Sequence, residues 1–316
     1  MDGSPGFPEK TMTTSQPDHP ILVHDRAQTA ALLDFADLVD ALALAAAQLE
    51  AGAIRSPERL VVPLGAGAVM LSMPATADDI GIHKLVNVHP GNARCGLPTI
   101  HGAVTVCDAA TGRIVCVLDG PEVTGRRTAA VTLLAMRRLL SAAPRQVLLI
   151  GTGTQARYHV QALQALHPQA RIWVQGRTRD AALRFCEEHA QLRPLDASAP
   201  AMDAVVTLTT STEPVYDEAP RAGRLVVGVG AFKPEMAELG ATLLRGSDLY
   251  ADDPAGARHE AGDLLRAGVD WSQVKSLGAL LRGPVDHARP AVFKSVGAAA
   301  WDLAAARVAL RTLASR

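Results

Sequence analysis

The string QVLLIGTGTQARYHVQAL contains a GxGxxA pattern between an apolar run and a helical stretch. Gly151 permits the tight turn of such a motif, Gly153 lets the backbone approach a pyrophosphate, and Ala156 allows close packing of helix on strand. The N-terminus of the following helix presents unpaired N–H groups and a partial positive charge to phosphates. Strand, glycines, helix and second strand follow in order, so the segment predicts a dinucleotide site that also includes Thr154 and Gln155.

The end of the second apolar run, RIWVQG, indicates which dinucleotide binds. An NAD site usually has Asp or Glu about 20 residues after the glycines, to accept hydrogen bonds from the ribose hydroxyls. This chain has no acid there, and its residues are Gln175, Gly176, Arg177, Thr178 and Arg179. Arg177 can bind a 2′-phosphate through charge-assisted hydrogen bonds. We therefore expect NADPH as the cofactor, with NADH as the weaker alternative, and place Arg177 and Thr178 in the site. The alternative that stays open is that Arg177 and Arg179 are solvated loop residues without a role in binding.

Other chemistry-bearing residue types give weaker signals. The sequence contains four cysteines, which are Cys95, Cys107, Cys116 and Cys186. They form no CxxC pair and no metal-ligand spacing, so we interpret them as buried small apolar residues in a reducing compartment. His83 and His101 lie in β-type runs and could act as acid or base, but a structural role is favoured. No HxxxH, HxH or acidic cluster indicates a metal site, and none is expected.

Composition excludes several classes of function. The 316 residues are 48% hydrophobic and 3% aromatic, and 31 Lys and Arg against 32 Asp and Glu give a net charge of −1. This balance predicts a buried core and no general attraction to nucleic acid. No apolar run reaches the roughly 20 residues of a membrane span, and residues 1–20 read as a disordered tail without a signal-peptide core. We expect a cytoplasmic protein with neither nucleic-acid nor membrane partners.

Two kinds of scaffold must position these residues. Short β-type runs between residues 60 and 118, separated by turn residues, predict a mostly antiparallel sheet. Apolar residues every three or four positions from Leu32 to Leu49 predict one long helix that Gly52 ends. Residues 121–140 and the alanine-rich residues 295–314 predict further helices. From Gln146 onward, near-continuous apolar runs, the first three separated by helical stretches, predict a parallel doubly wound sheet.

More distinctive strings carry a family resemblance. They are MPA at 73–75, HKLVNVHPGN at 83–92, GLPTIHG at 96–102 and TGRRTAA at 124–130. Together with GTGTQA, TTSTEPV, EAGDL and FKSVGAAAWD, they resemble the ornithine cyclodeaminase/μ-crystallin family in order and spacing, from about residue 21 to the C-terminus. The resemblance implies an α/β fold and a homodimer. A substrate-binding and dimerisation domain of α+β type would comprise residues 21–141 and 300–316, and an NADP-binding Rossmann domain residues 142–299.

The resemblance also implies site residues for a small cyclic imino acid or its amino-acid precursor. Arg59, Lys84 and Arg127 match the cationic residues around the substrate carboxylate, and we assign catalytic roles to the last two. A carboxylate in a partly desolvated cleft needs paired hydrogen-bond donors. The planar guanidinium of arginine can donate two parallel hydrogen bonds to it. Arg59 alone could be a surface charge, because it lies in a polar loop. Met73 and Thr99 match the substrate side, although Thr99 could simply be a turn residue.

Residues that follow the apolar runs match the cofactor side of the family. They are Thr209, Val229, Gly230, Ser295 and Gly297. The segment from Ser295 to Gly297 resembles the stretch beside the nicotinamide, and the open alternative for Ser295 is a plain helix N-cap.

One position departs from the ornithine cyclodeaminases. In the true ornithine cyclodeaminases, a loop aspartate acts as acid and base for amine attack and ammonia loss, and GVGAFKPEMAEL places Phe232 there. Phenylalanine transfers no proton, and losing such a group costs about 10²–10⁴ in rate. Glu235 or Glu238 could substitute from a neighbouring position. Phe232 instead suits a wall against a flat ring that excludes water from hydride transfer.

The GAFxPxMAEL form looks like the reductase branch of the family. We therefore expect NADPH-dependent reduction of Δ1-pyrroline-2-carboxylate and Δ1-piperideine-2-carboxylate to L-proline and L-pipecolate, a step of proline metabolism. Three alternatives stay open: an NAD-dependent ornithine cyclodeaminase that converts L-ornithine to L-proline and ammonia, a μ-crystallin-like NADPH and small-ligand binding protein, and another dehydrogenase of this fold. The preferred ring size, the source of the proton and the assembly beyond a dimer also stay open.

Overall fold

The computed structural model describes residues 20–65, 67–189 and 191–316. The tail predicted for residues 1–20 lies outside this range except for Pro20. The strands are β1 (Leu22–Val23), β2 (Leu60–Gly65), β3 (Ala68–Thr76), β4 (Ile80–Val88), β5 (Ile100–Asp108), β6 (Ile114–Asp119), β7 (Gln146–Ile150), β8 (Arg171–Gln175), β9 (Leu192–Pro194), β10 (Ala204–Thr207), β11 (Leu225–Gly228), β12 (Asp248–Ala251), β13 (Lys275–Ser276) and β14 (Ala291–Lys294). The helices are α1 (Arg26–Leu32), α2 (Phe35–Glu50), α3 (Gly120–Leu139), α4 (Thr154–Leu166), α5 (Arg179–Glu187), α6 (Ala241–Arg245), α7 (Pro254–Glu260), α8 (Gly262–Ala267), α9 (Leu277–Arg282) and α10 (Ala299–Ala314).

The first sheet has the strand order β1-β6-β5-β4-β3-β2. Only the β1–β6 pair is parallel, and the neighbours from β6 to β2 are antiparallel, as the sequence predicts. Strand alternation places one face of β4 in the interior, including Ile82, Lys84 and Val86, while His83 and Leu85 are exposed. Helix α10 packs against this strand and against α2. A lysine is therefore carried on the buried face of the sheet.

The second sheet has the order β13-β12-β14-β11-β10-β7-β8-β9, and every neighbouring pair is parallel. Alternate residues of β7 enter two separate apolar clusters, Val147 and Leu149 on one side and Leu148 and Ile150 on the other. Both faces of the sheet are thus covered, which explains why its strands are continuously apolar. Strand order reverses between β7 and β10, the place where such sheets bind dinucleotides. The predicted α/β class with a doubly wound sheet is confirmed.

Three local predictions are wrong. The long helix predicted over Leu32–Leu49 is two helices, because the carboxylate of Asp34 accepts hydrogen bonds from the N–H groups of Ala36 and Asp37 and starts α2 anew. The terminal helix begins at Ala299 rather than Ser295. Only Cys116 among the cysteines is fully buried, and Cys95 is exposed. Cys95 ends a short 3₁₀ helix (Pro90–Cys95) in an exposed stretch of the chain, so no buried face receives its side chain.

Two absences hold for the described part of the chain. None of its helices combines the length and the hydropathy that crossing a membrane requires. Nor do three or more of its His, Cys, Asp or Glu side chains group where they could hold a metal ion.

Candidate active site

The residues predicted to bind a cofactor lie at one edge of the second sheet. Gly151 follows β7, Arg177 follows β8, and Thr209 follows β10, while Gly230 and Ser295 follow β11 and β14. Because all these strands are parallel, their carboxyl ends share one edge. The fold therefore brings together side chains that are distant in the sequence.

The GxGxxA turn has the geometry that a pyrophosphate requires. Gly151 has φ +124°, and a Cβ atom there would lie 2.8 Å from the carbonyl oxygen of Leu208. Gly153 precedes α4 without any side-chain cap and has open space where a Cβ would point. The first N–H groups of α4 stay available. The side-chain Oε1 of Gln155 is also buried without a hydrogen-bond partner among the described residues. The cradle therefore fits a dinucleotide.

The end of β8 supports the choice of nucleotide. Arg177 is exposed, and within the described ranges no carboxylate forms an ion pair with it. Thr178 is exposed too, and its side chain caps α5 by accepting a hydrogen bond from the N–H of Ala181. The guanidinium is thus available for an anion beside the dinucleotide cradle.

Glu238 holds the ends of β10 and β11 together. Its carboxylate is fully buried and accepts hydrogen bonds from the N–H and the hydroxyl of Thr209, from Gly230 N at 2.6 Å and from Ala231 N at 3.1 Å. These contacts occupy both oxygens, so Glu238 is a structural residue of the loop that carries Phe232. Glu235 is exposed on the same loop.

Asp252 fixes the segment after β14. The carboxylate accepts hydrogen bonds from the hydroxyl of Ser295 at 2.8 Å and from the N–H groups of Val296 and Gly297, both at 2.9 Å. The alternative in which Ser295 caps the terminal helix is therefore wrong, since its hydroxyl turns back to Asp252. Gly297 has φ +82°, and a Cβ there would be 3.0 Å from the Arg127 guanidinium. Gly297 thus lies between the cofactor edge of the second sheet and Arg127 on α3.

Lys84 and Arg127 share one carboxylate. The ammonium of Lys84 on β4 lies 2.5 Å from Asp302 Oδ2, and Arg127 Nε on α3 lies 3.2 Å from Oδ1. All three side chains are buried, and Asp302 lies in the first turn of α10, where the helix dipole stabilises a negative charge. No second carboxylate of the described residues forms an ion pair with either cation. Two buried cations and one anion leave an excess of one positive charge.

Burial changes the titration of this cluster. It lowers the pKa of the Lys84 ammonium to about 8, and the charges of Arg127 and Arg59 act in the same direction. Asp302 opposes the shift and is the reason that Lys84 retains a proton at neutral pH. An anionic ligand beside Lys84 would oppose the shift in the same way.

Arg59 links the two sheets. Its Nε lies 2.9 Å from Glu260 Oε1 at the end of α7, and its Nη2 donates to the carbonyl oxygens of Val296 at 3.1 Å and Gly297 at 2.7 Å. Arg59, Met73, Glu260 and Gly297 line a cavity of about 220 Å³. Met73 on β3 is also the register partner of Lys84. The predicted substrate residues Arg59, Met73, Lys84 and Arg127 therefore border one region.

The structure places the remaining candidates elsewhere or without polar contacts. Thr99 is exposed just before β5, whereas Val104 is the residue of β5 that pairs with Lys84, so Thr99 is not brought to the cavity. Phe232 is half-buried. His83 contacts the hydroxyl of Ser72 at 2.8 Å, and His101 is exposed on β5. Arg126, the other arginine of the string TGRRTAA, is paired with Glu122 and largely buried.

Three acids of the site were not predicted from the sequence. They are Asp252, Glu260 and Asp302. A signal exists for Asp302, because a lone acid in an alanine-rich buried helix needs a partner. Asp252 and Glu260 carry no comparable signal, since one lies in an acidic turn and the other at the end of a short polar helix.

Comparison with known proteins decides the family. The model of the ornithine cyclodeaminase/mu-crystallin family matches residues 21–315. The chain belongs to this family. The resemblance stated from the motifs is therefore confirmed.

Relatives extend the comparison. The Δ1-pyrroline-2-carboxylate/Δ1-piperideine-2-carboxylate reductase of Azospirillum brasilense is 58% identical, over 94% of this chain and 97% of that protein. The ketimine reductase mu-crystallin of Mus musculus is 32% identical, over 81% of this chain and 85% of that protein. In fold, the chain is similar to the Δ1-pyrroline-2-carboxylate reductase of Thermococcus litoralis, solved with NADH and L-proline. That likeness has a TM-score of 0.85 at 23% identity and covers 93% of this chain and 98% of that one.

Proposed function

We propose that this protein reduces the cyclic ketimino acids Δ1-pyrroline-2-carboxylate and Δ1-piperideine-2-carboxylate to L-proline and L-pipecolate with NADPH. The observation that carries the proposal is the excess positive charge of Lys84, Arg127 and Asp302 beside Gly297. A buried cation without a counter-ion is costly, so an anionic ligand completes the site. The reductase relative at 58% identity supports a cyclic imino acid as that ligand.

Each residue then has a role in binding and orientation. Lys84, Arg127 and Arg59 hold the substrate carboxylate, and Met73 and Phe232 enclose the ring. When bound, the nicotinamide supplies a hydride to the imine carbon. Asp252 and Arg59 together fix the backbone from Ser295 to Gly297, so this segment is preorganised beside the reacting ring.

The same site is poorly equipped for cyclodeamination. That reaction needs a group in the loop that takes up and returns protons. Phe232 has no such group, and both oxygens of Glu238 accept hydrogen bonds from the backbone or a hydroxyl. Glu235 is exposed. Reduction is therefore the chemistry that these residues favour.

NADPH is the cofactor that the end of β8 favours over NADH. The uncompensated guanidinium of Arg177 matches a 2′-phosphate, and no acid stands there to accept hydrogen bonds from a free ribose hydroxyl. Thr154, Gln155, Ala156, Val229 and the residues after the other strands would surround the rest of the cofactor.

We also propose a homodimer in the cytoplasm, with the two domains given by residues 21–141 plus 300–316 and by residues 142–299. Strand β2 is the edge of the first sheet and exposes Leu60, Val61, Val62 and Leu64, which favours an interface there. The four cysteines are free, which suits a reducing compartment. The packing of α10 on β4 and α2 supports the return of the chain to the first domain.

A paired assay tests this function. The purified protein is offered Δ1-pyrroline-2-carboxylate with NADPH while nicotinamide absorbance is followed, and then L-ornithine while ammonia is measured. We expect NADPH oxidation with the imine and no ammonia from ornithine. Ammonia release without NADPH oxidation would favour the cyclodeaminase, and tight binding of both ligands without turnover would favour a binding protein.

A further inference from the structure

Glu260 is an acid of the cavity that no step above uses. It ends α7 and lines the cavity with Arg59, Met73 and Gly297. Its Oε1 lies 2.9 Å from Arg59 Nε, but Oε2 is buried and has no hydrogen-bond partner among the described residues. A buried oxygen left without a partner is unfavourable unless a ligand supplies one. Half of this carboxyl is therefore available to a bound molecule.

The surroundings of Glu260 favour its protonated form. Burial raises the pKa of the carboxyl to about 7, and Asp252, Asp253 and Glu58 act in the same direction. Arg59 opposes the shift. On the same helix, His259 is exposed and lies 3.6 Å from Glu58 rather than facing Glu260. At neutral pH, Glu260 thus carries a proton in a substantial fraction of molecules.

The neighbouring acids are engaged elsewhere. Asp252 accepts hydrogen bonds from Ser295, Val296 and Gly297. Asp253 caps α7 by accepting a hydrogen bond from the N–H of Ala255. Among the acids that line this cavity, Glu260 therefore has the buried oxygen that a ligand can use.

We propose that Glu260 is the acid that protonates the ring nitrogen of the ketimine, a role that rests on the proposed reductase function. The imine carbon must face the segment from Ser295 to Gly297, where the nicotinamide would lie. The nitrogen bonded to that carbon is then within the cavity that Glu260 lines. Arg59 holds Oε1, so Oε2 is the atom that carries the transferred proton.

The step balances in protons and electrons. The proton on Glu260 Oε2 moves to the imine nitrogen, which leaves an iminium and a carboxylate paired with Arg59. The iminium carbon accepts a hydride, and the π electrons of the C=N bond become the lone pair of the amine nitrogen. Water returns a proton to Glu260. The sum is one imine, one NADPH and one proton converted to one cyclic amino acid and one NADP⁺.

The first test compares Glu260→Gln with wild type across pH. The amide oxygen still accepts from Arg59, but the proton is lost, and we expect turnover to fall by about 10²–10⁴ at pH about 6. The ratio of wild-type to variant turnover cancels the titration of the substrate itself. This ratio should be constant below pH 7 and fall about tenfold per pH unit above pH 7, because Glu260 of the wild type loses its proton in that range. Glu260→Asp should restore part of the rate and the pH dependence of the ratio.

A second readout does not depend on turnover. A carboxyl whose pKa is higher in the folded than in the unfolded chain binds extra protons when folded. The unfolding free energy of wild type should therefore decline, relative to Glu260→Gln, as pH rises from 4.5 to about 7. Urea unfolding without cofactor measures this difference. Asp40→Asn is the matched control, because both side chains of its ion pair with Arg137 are exposed, and it should change neither readout.

The outcomes separate this proposal from the function on which it rests. A wild-type protein that does not oxidise NADPH with either imine overturns both. An active wild type with a Glu260→Gln variant of equal turnover, or with a ratio that does not vary with pH, overturns the role of Glu260 alone. The same holds if wild type and variant show parallel unfolding free energies between pH 4.5 and 7.

Discussion

Replacing Asp302 with Asn tests the charge balance of the site. The variant keeps the shape of the side chain but removes the one negative charge shared by Lys84 and Arg127. Both cations are buried, so water cannot compensate. Removing one partner of a buried ion pair costs about 3–5 kcal/mol, because the remaining charge is left uncompensated. We expect a loss of this size in the unfolding free energy, measured by urea titration near neutral pH.

A kinetic effect should accompany the loss of stability. Asp302 is the group that raises the pKa of Lys84 against burial, so without it the ammonium deprotonates below pH 8. The KM for the imino acid should then rise about tenfold or more near neutral pH, where one charge-assisted hydrogen bond to the carboxylate is lost.

Helix α10 offers a matched control for this variant. Asp79→Asn removes the partner of Arg307, which also lies on α10, but this pair is half exposed and should cost no more than about 1 kcal/mol. Equal losses in the two variants, with unchanged KM in both, would refute the reasoning.

Three further variants test the cofactor site. Arg177→Ala should weaken NADPH binding by about 10–150-fold, which corresponds to the loss of a charge-assisted hydrogen bond of about 1.5–3 kcal/mol. The affinity for NADH should change by no more than about threefold. Equal losses of affinity for the two cofactors in fluorescence titrations would show that the arginine does not contact the 2′-phosphate. Gly153→Ala should leave the unfolding free energy within about 0.5 kcal/mol, because its Cβ meets open space, yet weaken NADPH at least about tenfold. Gly151→Ala should weaken NADPH as well and should also lower the unfolding free energy by about 1–3 kcal/mol, because residue 151 has φ +124°. Unchanged NADPH affinity in Gly153→Ala would contradict the assignment of this turn to the pyrophosphate.

Features with local causes could be predicted from the sequence. The order of apolar run, glycines and helix around Gly151 defines the first turn of the nucleotide site, because strand, turn and helix are adjacent in the chain. The alternation around Lys84 likewise indicates a charged residue on the buried face of a strand, which itself requires a partner. The family resemblance then selects Arg59 and Arg127 from many arginines.

Features that depend on distant contacts could not be predicted. Asp302 meets Arg127 across 175 positions of the chain, and Asp252 reaches Ser295 across 43. No periodicity encodes such pairs, because Asp252 meets Ser295 only when β12 pairs with β14, and Asp302 meets Arg127 only when α10 packs against α3. The break between α1 and α2 was missed for a different reason. The apolar spacing continues through it, and a single capping carboxylate at Asp34 outweighs that pattern.

The most direct test of the proposed reaction follows the hydride itself. NADPH carrying deuterium at C4 of the nicotinamide, on the face that is transferred, is incubated with Δ1-pyrroline-2-carboxylate and the protein, and the product is analysed by mass spectrometry. We predict L-proline with one deuterium on the α-carbon and an equal amount of NADP⁺. Proline without deuterium, or no proline while ornithine yields ammonia, would contradict the assignment of this site to ketimine reduction.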